Sequence, residues 1–223
     1  MTLVELPPYT AELPDTAYNM WVRGELHDFL HLPNDGTRVE IIGGEIAVSP
    51  APTVRHAIIV QDISNALTRA HHENPEFPWR LLQVTQLTPV GPDGGYIPDL
   101  VVLDAAMLKD ADDADVPGFV PDQIEMAVEV TSPSRADDDR KPTEQRDPAK
   151  KPSKWTGYAR AEIPYCLLVD RDPERSAITL FSIPDQASAA YLHVEGWQFG
   201  EKVHLPDPFN VDIDTSGWKP WKK

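Results

Sequence analysis

Alternating apolar and polar stretches divide the chain into predicted strands and helices. Residues 37–50 read as two short strands on either side of Gly43-Gly44, and this glycine pair supplies the positive φ that a two-residue hairpin turn requires. From His56 onwards, apolar residues recur every three or four positions, which predicts an amphipathic helix. A hairpin followed by a helix is therefore expected near the start of the folded region.

Short apolar runs predict the strands that follow, and polar segments predict the loops between them. Residues 149–161 are expected to form a helix, whereas the Asp- and Ala-rich stretch after Asp104 and residues 132–147 are expected to be loops. The predicted strands occupy residues 80–88, 96–104, 126–130 and 163–170, with further strands in the C-terminal part.

The order of these elements predicts a single α/β sheet domain. A chain of 223 residues with 41% hydrophobic residues is long enough and apolar enough for one well-packed domain. We assign this domain to residues 21–205, an irregular N-terminal arm to residues 1–20 and a C-terminal tail to residues 206–223.

The chain is strongly acidic, with 36 acidic and 20 basic residues and a net charge of −16. This charge opposes binding of a nucleic-acid backbone by the whole surface, so a phosphate polymer would need a local basic patch or metal ions. A solvated loop and helix face is the alternative interpretation of the basic segment in the second half of the chain. Its members are Arg135, Arg140, Lys141, Arg146, Lys150, Lys151 and Lys154, followed by Arg160 and Arg171.

The sequence shows neither a secretory pattern at its start nor an apolar run long enough for a membrane helix. We therefore expect a cytoplasmic protein that does not associate with a membrane. Cys166 is the only cysteine, which excludes an intrachain disulfide and a cysteine-based zinc site. Its apolar surroundings indicate a buried thiol.

Glu129 lies in the apolar run 126–130, where an unpaired carboxylate would carry a large desolvation cost. Asp99 follows Pro98 near the start of the preceding core strand. Carboxylates from two adjacent strands can hold Mg²⁺, which prefers oxygen ligands and retains several waters. Such an ion polarises a phosphoryl oxygen, and a nearby lysine stabilises developing negative charge. This combination suits phosphodiester hydrolysis.

Three motifs together resemble a bacterial family of restriction-endonuclease-like proteins in the PD-(D/E)XK nuclease superfamily. They are PDL at 98–100, EVTSPS at 129–134 and KWTGYARAEIPYCLLVD at 154–170. The resemblance covers roughly residues 20–195. It implies a restriction-endonuclease-like fold, with a mixed β-sheet flanked by helices and extra C-terminal strands. It also implies a Mg²⁺ site, in which Mn²⁺ can substitute, built from Asp99 and Glu129 and joined by Glu40 of the first strand.

The chain departs from the superfamily pattern at the lysine. Thr131 stands at the (D/E)XK lysine position, so the cation must come from elsewhere. The resemblance places it on the following helix in a K-x-x-x-Y pattern, which Lys154 and Tyr158 match. Because the connection before this helix is longer than usual, Lys141, Lys150 and Lys151 stay open as alternatives for the same role.

Each candidate also has a purely structural interpretation. Glu40 would be an ordinary strand carboxylate, and Asp99 would cap the preceding turn. Glu129 would form an ion pair with a buried arginine, and Lys154 would lie along the surface. His56, at the start of a helix, is interpreted as structural and is left out of the catalytic set.

The leading hypothesis is a Mg²⁺-dependent endonuclease that acts on DNA, with Asp99, Glu129 and Lys154 as catalytic residues. A homodimer is expected because a duplex has two strands that two symmetry-related sites can match. The alternative is a catalytically silent dimeric or protein-binding module on the same fold, which the acidic charge and the missing (D/E)XK lysine favour. A nuclease that acts on RNA or in repair would share the site.

Overall fold

Helices and strands alternate through the chain in the computed structural model, which describes residues 13–83, 85–90, 94–143 and 152–222. The helices in these ranges are α1 Ala17–Val22, α2 Leu26–Phe29, α3 Val54–Glu73, α4 Ala105–Asp113, α5 Ala136–Asp139 and α6 Lys154–Arg160. The strands are β1 Arg38–Ile42, β2 Glu45–Ser49, β3 Trp79–Gln83, β4 Gln86–Leu87, β5 Leu100–Asp104, β6 Gly118–Phe119, β7 Met126–Val130, β8 Tyr165–Asp170, β9 Ala177–Asp185, β10 Ala190–Gln198, β11 Lys202–Leu205 and β12 Val211–Asp214.

The central sheet has six strands in the order β10-β9-β8-β7-β5-β3. Only β7 and β8 run parallel among these neighbours, because the chain crosses between them through α5 and α6; the other pairs are antiparallel. Strands β7 and β8 are almost wholly buried, as expected for strands covered on both faces. The predicted mixed sheet flanked by helices is confirmed.

Two apolar clusters cover the two faces of the sheet. On one face, Ile59, Ile63 and Leu67 of α3 pack with Val128 and Leu167. On the other face, α4 and α6 pack against the same strands, together with the buried thiol of Cys166. The result is a sheet between helical layers, with β7 and β8 at its centre.

The hairpin β1–β2 forms a separate two-stranded sheet, and a bridge between Ile41 and Gly95 joins it to the segment that precedes β5. Gly43 and Gly44 both have positive φ, 62° and 79°, as predicted for the turn. The short helices α1 and α2 pack on the hairpin, and the indole of Trp21 donates a hydrogen bond to the Val39 carbonyl (2.6 Å).

Two segments predicted as loops are helical in part. The loop predicted after Asp104 is wrong, because the Asp104 side chain accepts a hydrogen bond from the Ala106 amide (2.7 Å) and caps α4. The loop predicted at 132–147 contains α5, where Asp139 and Arg140 are buried rather than solvated. Its last residues, 144–147, lie outside the described ranges.

The ends of the domain also differ from expectation. The expected arm at 1–20 includes the start of α1, whose cap Thr16 accepts a hydrogen bond from the Asn19 amide (3.1 Å), while residues 1–12 lie outside the described ranges. Past residue 205, strand β12 pairs with β11, and Phe209 and Trp218 are buried in the α3 cluster. These residues belong to the packed core of the domain.

Helix α6 begins at Lys154, with Ser153 as its cap, and residues 149–151 of the predicted helix lie outside the described ranges. Gly157 allows this helix to pack closely against Tyr96, because a Cβ there would come within 2.3 Å of the Tyr96 hydroxyl. In the part of the chain that the structure describes, no helix combines the length and apolar character needed to cross a membrane.

Candidate active site

Four buried carboxylates and one lysine meet at the end of β7. Antiparallel pairing of Leu100 with Val128 brings Asp99, just before β5, beside Glu129 of β7. Glu40 comes from β1, Asp139 from the last residue of α5 and Lys154 from the first residue of α6. All five residues are at most 8% exposed. Separate elements therefore bring together the four predicted site residues, Glu40, Asp99, Glu129 and Lys154, and add one that was not predicted.

Lys154 compensates the buried carboxylates. Its ammonium lies 2.8 Å from Glu40 Oε1, 3.2 Å from Glu129 Oε1 and 3.8 Å from Asp139 Oδ1. The hydroxyl of Tyr158, one turn along α6, donates a short hydrogen bond to Glu129 Oε1. The partner of Glu129 is thus a lysine and not an arginine, and Lys154 lies in the interior, not on the surface.

The pKa values reflect an excess of negative charge. Burial, assisted by the neighbouring charges of Asp99 and Glu40 and opposed by Lys154, raises the pKa of Glu129 to about 7. Burial also raises the pKa of Asp139 well above its usual value. Although burial alone would lower the pKa of Lys154, the charges of Glu129, Glu40 and Asp139 raise it. The lysine is therefore charged, while the carboxylates compete for too little positive charge.

Asp99 is fixed by three donors. Arg38 contacts Oδ1 (3.2 Å), while Oδ2 bonds to His56 Nε2 (2.9 Å) and accepts from the Val130 amide (2.9 Å). Burial would raise the pKa of Asp99, but the His56 hydrogen bond and charge, with the charge of Arg38, lower it. Asp99 therefore does not serve as a turn cap, and His56, interpreted as structural, holds a site carboxylate directly.

Glu40 connects the hairpin to the site. Besides its contact with Lys154, its Oε1 accepts a hydrogen bond from the Ile97 amide (2.7 Å). In a strand with one face exposed to solvent, a carboxylate would ordinarily lie on the exposed face. Here β1 is buried almost throughout, so Glu40 has no access to bulk water except through the site.

Asp139 is the site residue that sequence reasoning missed. It belongs to the run Ala136–Asp139, whose polarity suggested a solvated loop. Arg135 and Arg140 instead anchor this turn at both ends: Arg135 donates to the Val48 carbonyl (3.0 Å), and Arg140 forms an ion pair with Asp170 (2.7 Å). The local sequence records only that two arginines flank three aspartates, which does not indicate that Asp139 is buried.

Thr131, at the position where the superfamily pattern has its lysine, has a structural role. Its hydroxyl donates to Asp170 Oδ1 (3.2 Å) and accepts from the Arg171 amide (2.9 Å), which links the ends of β7 and β8. Lys141, one of the alternative lysines, is exposed and lies over the Trp155 ring at 5.7 Å. Lys150 and Lys151 lie outside the described residues.

Three of the six described members of the predicted basic segment pair with described carboxylates. Arg135 pairs with Asp138, Arg140 with Asp170 and Asp172, and Lys154 with the carboxylates of the site. These cations are consequently not available as a surface for a phosphate backbone.

The site opens into a cavity of about 330 Å³. Its acidic lining consists of Glu40, Asp99, Glu129 and Asp139 with Lys154, and the start of α3 also lines it, with His56 in contact with Asp99. The remaining polar lining comes from Arg38, Ser49, Thr53, His56, Ser132, Ser134, Arg135, Asp138 and Arg171. A group the size of a phosphodiester with its sugars can enter such a space.

The donor set fits a hard divalent cation at two of the carboxylates. Asp99 uses three of its roughly four acceptor positions and Glu129 retains Oε2 beyond its long contact with Lys154 (3.3 Å), so each keeps capacity for a metal. Mg²⁺ binds through one or two carboxylates and waters. To act as a third metal ligand, Glu40 would have to give up its contact with Lys154. In the described ranges, no three His, Cys, Asp or Glu side chains are already arranged as a ligand group.

Comparisons with known proteins agree with this architecture. A family model described as "Uma2: Putative restriction endonuclease" matches residues 26–216. Among solved structures, the chain is similar to one described as a "putative nuclease belonging to DUF820" from Anabaena variabilis ATCC 29413. The TM-score is 0.53 at 16% identity, covering 82% of this chain and 88% of that one. No curated protein matches the sequence. The restriction-endonuclease-like fold expected from the three motifs is confirmed.

Proposed function

Because the chain belongs to the Uma2 family of restriction-endonuclease-like proteins, we propose that it is a nuclease that hydrolyses phosphodiester bonds, in DNA, with Mg²⁺ or Mn²⁺. The observation that carries the proposal is the buried cluster of Asp99, Glu129 and Lys154 in one cavity. Carboxylates held together with too little positive charge favour a divalent cation, and a lysine beside them favours an anionic substrate.

In this proposal Asp99 and Glu129 hold the cation, and Glu40 joins them. When bound, the cation supplies Lewis-acid polarisation of a phosphoryl oxygen and a water of lowered pKa. Lys154 neutralises negative charge that develops on the phosphate, while Tyr158 orients Glu129 through its hydroxyl. His56 and Arg38 keep Asp99 ionised and fixed, so the residues of the site are positioned before substrate arrives.

A second candidate is a silent binding module on the same fold. The observation in its favour is the direct pairing of Lys154 with Glu40 and Glu129, which satisfies these groups without a metal. In that case the carboxylates serve stability alone, and the protein neither binds divalent cations at this site nor cleaves nucleic acid.

Cleavage of supercoiled plasmid, single-stranded DNA and RNA in the presence of Mg²⁺ or Mn²⁺ tests the proposal. We expect wild-type protein to cleave DNA and both Asp99→Ala and Glu129→Ala to lose activity by at least a hundredfold. Glu76→Gln, an exposed glutamate away from the cavity, is the matched control and should retain activity. Equal activity in all four proteins would point to a contaminant and refute the proposal.

Homodimerisation belongs to the same proposal and is measured separately. Sedimentation equilibrium should give twice the mass of the chain, as expected if two sites act on the two strands of a duplex. A mass equal to one chain at all concentrations would remove the dimer from the proposal without affecting the site.

A further inference from the structure

Arg171 is a buried arginine whose charge has no carboxylate partner among the described residues. It follows directly after β8, is 3% exposed and lines the same cavity as the carboxylates. Its Nε has no hydrogen-bond partner, and no described carboxylate forms an ion pair with it. An unpaired guanidinium that has lost its water carries a cost of several kcal/mol in ordinary protein interiors. Such a group is expected where an anion binds.

The carboxylates closest in sequence are already occupied. Asp170 and Asp172, on either side of Arg171, both pair with Arg140, at 2.7 and 3.0 Å. The two other arginines that line the cavity, Arg38 and Arg135, also have carboxylate partners, at 3.2 and 3.0 Å. Among the described lining arginines, Arg171 alone is left to meet an anion from outside the chain.

The first turn of α3 adds positive character to the same cavity. This helix has 20 residues, and Pro52, Thr53 and His56 at its start line the cavity. A helix N-terminus carries partial positive charge and favours anions. Burial and the nearby charge of Arg55 lower the pKa of Arg171, which reflects the uncompensated positive charge at this place. Two independent features, a helix start and a buried unpaired arginine, therefore face one space.

We propose that Arg171 and the start of α3 form a binding site for one phosphate group of the nucleic-acid backbone, next to the phosphate that reacts at the carboxylates. A planar guanidinium can donate two parallel hydrogen bonds to a phosphate, which suits this ligand class. One cavity then holds carboxylates for a metal-bound phosphate and an arginine for the neighbouring phosphate. This inference rests on the proposed nuclease function, but the phosphate site itself can be tested without activity.

Thermal melting with inorganic phosphate tests the anion site directly. At constant ionic strength, phosphate in place of chloride should raise the melting temperature of wild-type protein and leave that of Arg171→Gln unchanged. Arg175→Gln, which removes the same charge from an exposed position four residues on, is the control and should respond like wild type. Equal responses of wild type and Arg171→Gln, or no response of wild type, would overturn the proposal.

The same experiment separates binding from a structural role. Without phosphate, Arg171→Gln should melt at or above the wild-type temperature, because the substitution removes a buried charge that no described carboxylate compensates. A marked fall in its melting temperature without phosphate would assign Arg171 to stability and overturn the site.

Fluorescence anisotropy with a labelled DNA duplex tests the assignment to a nucleic-acid backbone. In Ca²⁺, we expect Arg171→Gln to weaken binding about tenfold and to reduce the salt dependence of log K by about one, as for loss of one phosphate contact. Arg175→Gln should have a smaller effect on both. If phosphate binding depends on Arg171 but duplex affinity does not, the nucleic-acid assignment fails. If wild type binds phosphate through Arg171 and no duplex at all, the anion site stands and the proposed function fails.

Discussion

At the scale of single residues, Lys154 controls the charge balance of the site. Its ammonium contacts Glu40 and Glu129 and lies near Asp139, and it is 5% exposed. The K-x-x-x-Y spacing identified this lysine and Tyr158 from the sequence. The contribution of Asp139 was not predictable in the same way, because a run of three aspartates followed by arginine is ordinarily solvated and its burial depends on partners distant in sequence.

Replacing Lys154 with methionine should destabilise the fold and abolish cleavage. Removal of one partner from a buried ion pair leaves the other charges uncompensated, at a cost of about 3 kcal/mol in the free energy of unfolding. Lys141→Met is the matched control, because this lysine is exposed and lies over the Trp155 ring, so its loss should cost less than about 1 kcal/mol. Urea denaturation of both variants measures the difference. Equal small losses would show that Lys154 does not hold the carboxylates together.

Glu129 should make stability depend on pH. Its pKa rises from 4.5 to about 7 on folding, chiefly through burial, so between these values the folded state binds more protons than the unfolded state. The stability that this proton contributes is complete below pH 4.5 and is lost as pH rises through 7. The metal-free wild type should therefore lose stability relative to Glu129→Gln between pH 5 and 8, by up to about 3 kcal/mol.

Chemical denaturation of both proteins in EDTA at several pH values measures this dependence. Glu76→Gln is the control, since its side chain is exposed, and should follow wild type at every pH. A free-energy difference between wild type and Glu129→Gln that stays constant from pH 5 to 8 would contradict a raised pKa for Glu129.

At the scale of elements, sequence patterns predicted most of the helices and strands that carry site residues. The glycine pair marked the β1–β2 hairpin, apolar periodicity marked α3, and continuous apolar runs marked β7 and β8. Helices α4 and α5 were missed because both lack a clear apolar stripe. Helix α4 depends on its Asp104 cap, and the short α5 depends on tertiary ion pairs of Arg135 and Arg140 that no local pattern records.

Arg140 should be required to hold α5 against the site. Its guanidinium pairs with the buried Asp170 at 2.7 Å, so Arg140→Gln leaves that carboxylate without its cation and should cost about 3 kcal/mol. Hydrogen exchange of the α5 amides should accelerate more than exchange in α3, because α5 has few other anchors. Arg160→Gln, at the exposed end of α6, serves as the control. Unchanged exchange in α5 would show that its position does not depend on Arg140.

At the scale of the whole molecule, fold class and family followed from three separated motifs, because each motif carries a residue of the site. The packing of the C-terminal residues could not be predicted from these motifs. Strand β12 and Trp218 pack against α3, which lies far from them in sequence. The net charge of −16 also acts at this scale, because it repels the phosphate backbone of a nucleic acid. Most cations near the site are already paired with carboxylates, so nucleic acid should approach only when a divalent cation offsets the remaining charge.

Affinity for a DNA duplex should accordingly increase at least tenfold when Ca²⁺ replaces Na⁺ at constant ionic strength, because Ca²⁺ takes the same oxygen ligands as Mg²⁺. In Glu129→Gln this gain should be largely lost, and in Glu76→Gln it should persist. Fluorescence anisotropy provides the affinities. A gain of equal size in all three proteins would indicate that the cation acts on the DNA or on the general surface rather than at the site.

The central claim is that Asp99 and Glu129 hold a divalent cation in the cavity shared with Lys154. Calorimetric titration of Mn²⁺ into metal-free protein tests it most directly, with Asp99→Asn and Glu129→Gln beside the Glu76→Gln control. We expect saturable binding in wild type and control, and a loss of at least tenfold in affinity in each site variant. Undiminished binding in both site variants, or none in wild type, would contradict the claim and leave these carboxylates as a structural cluster neutralised by Lys154.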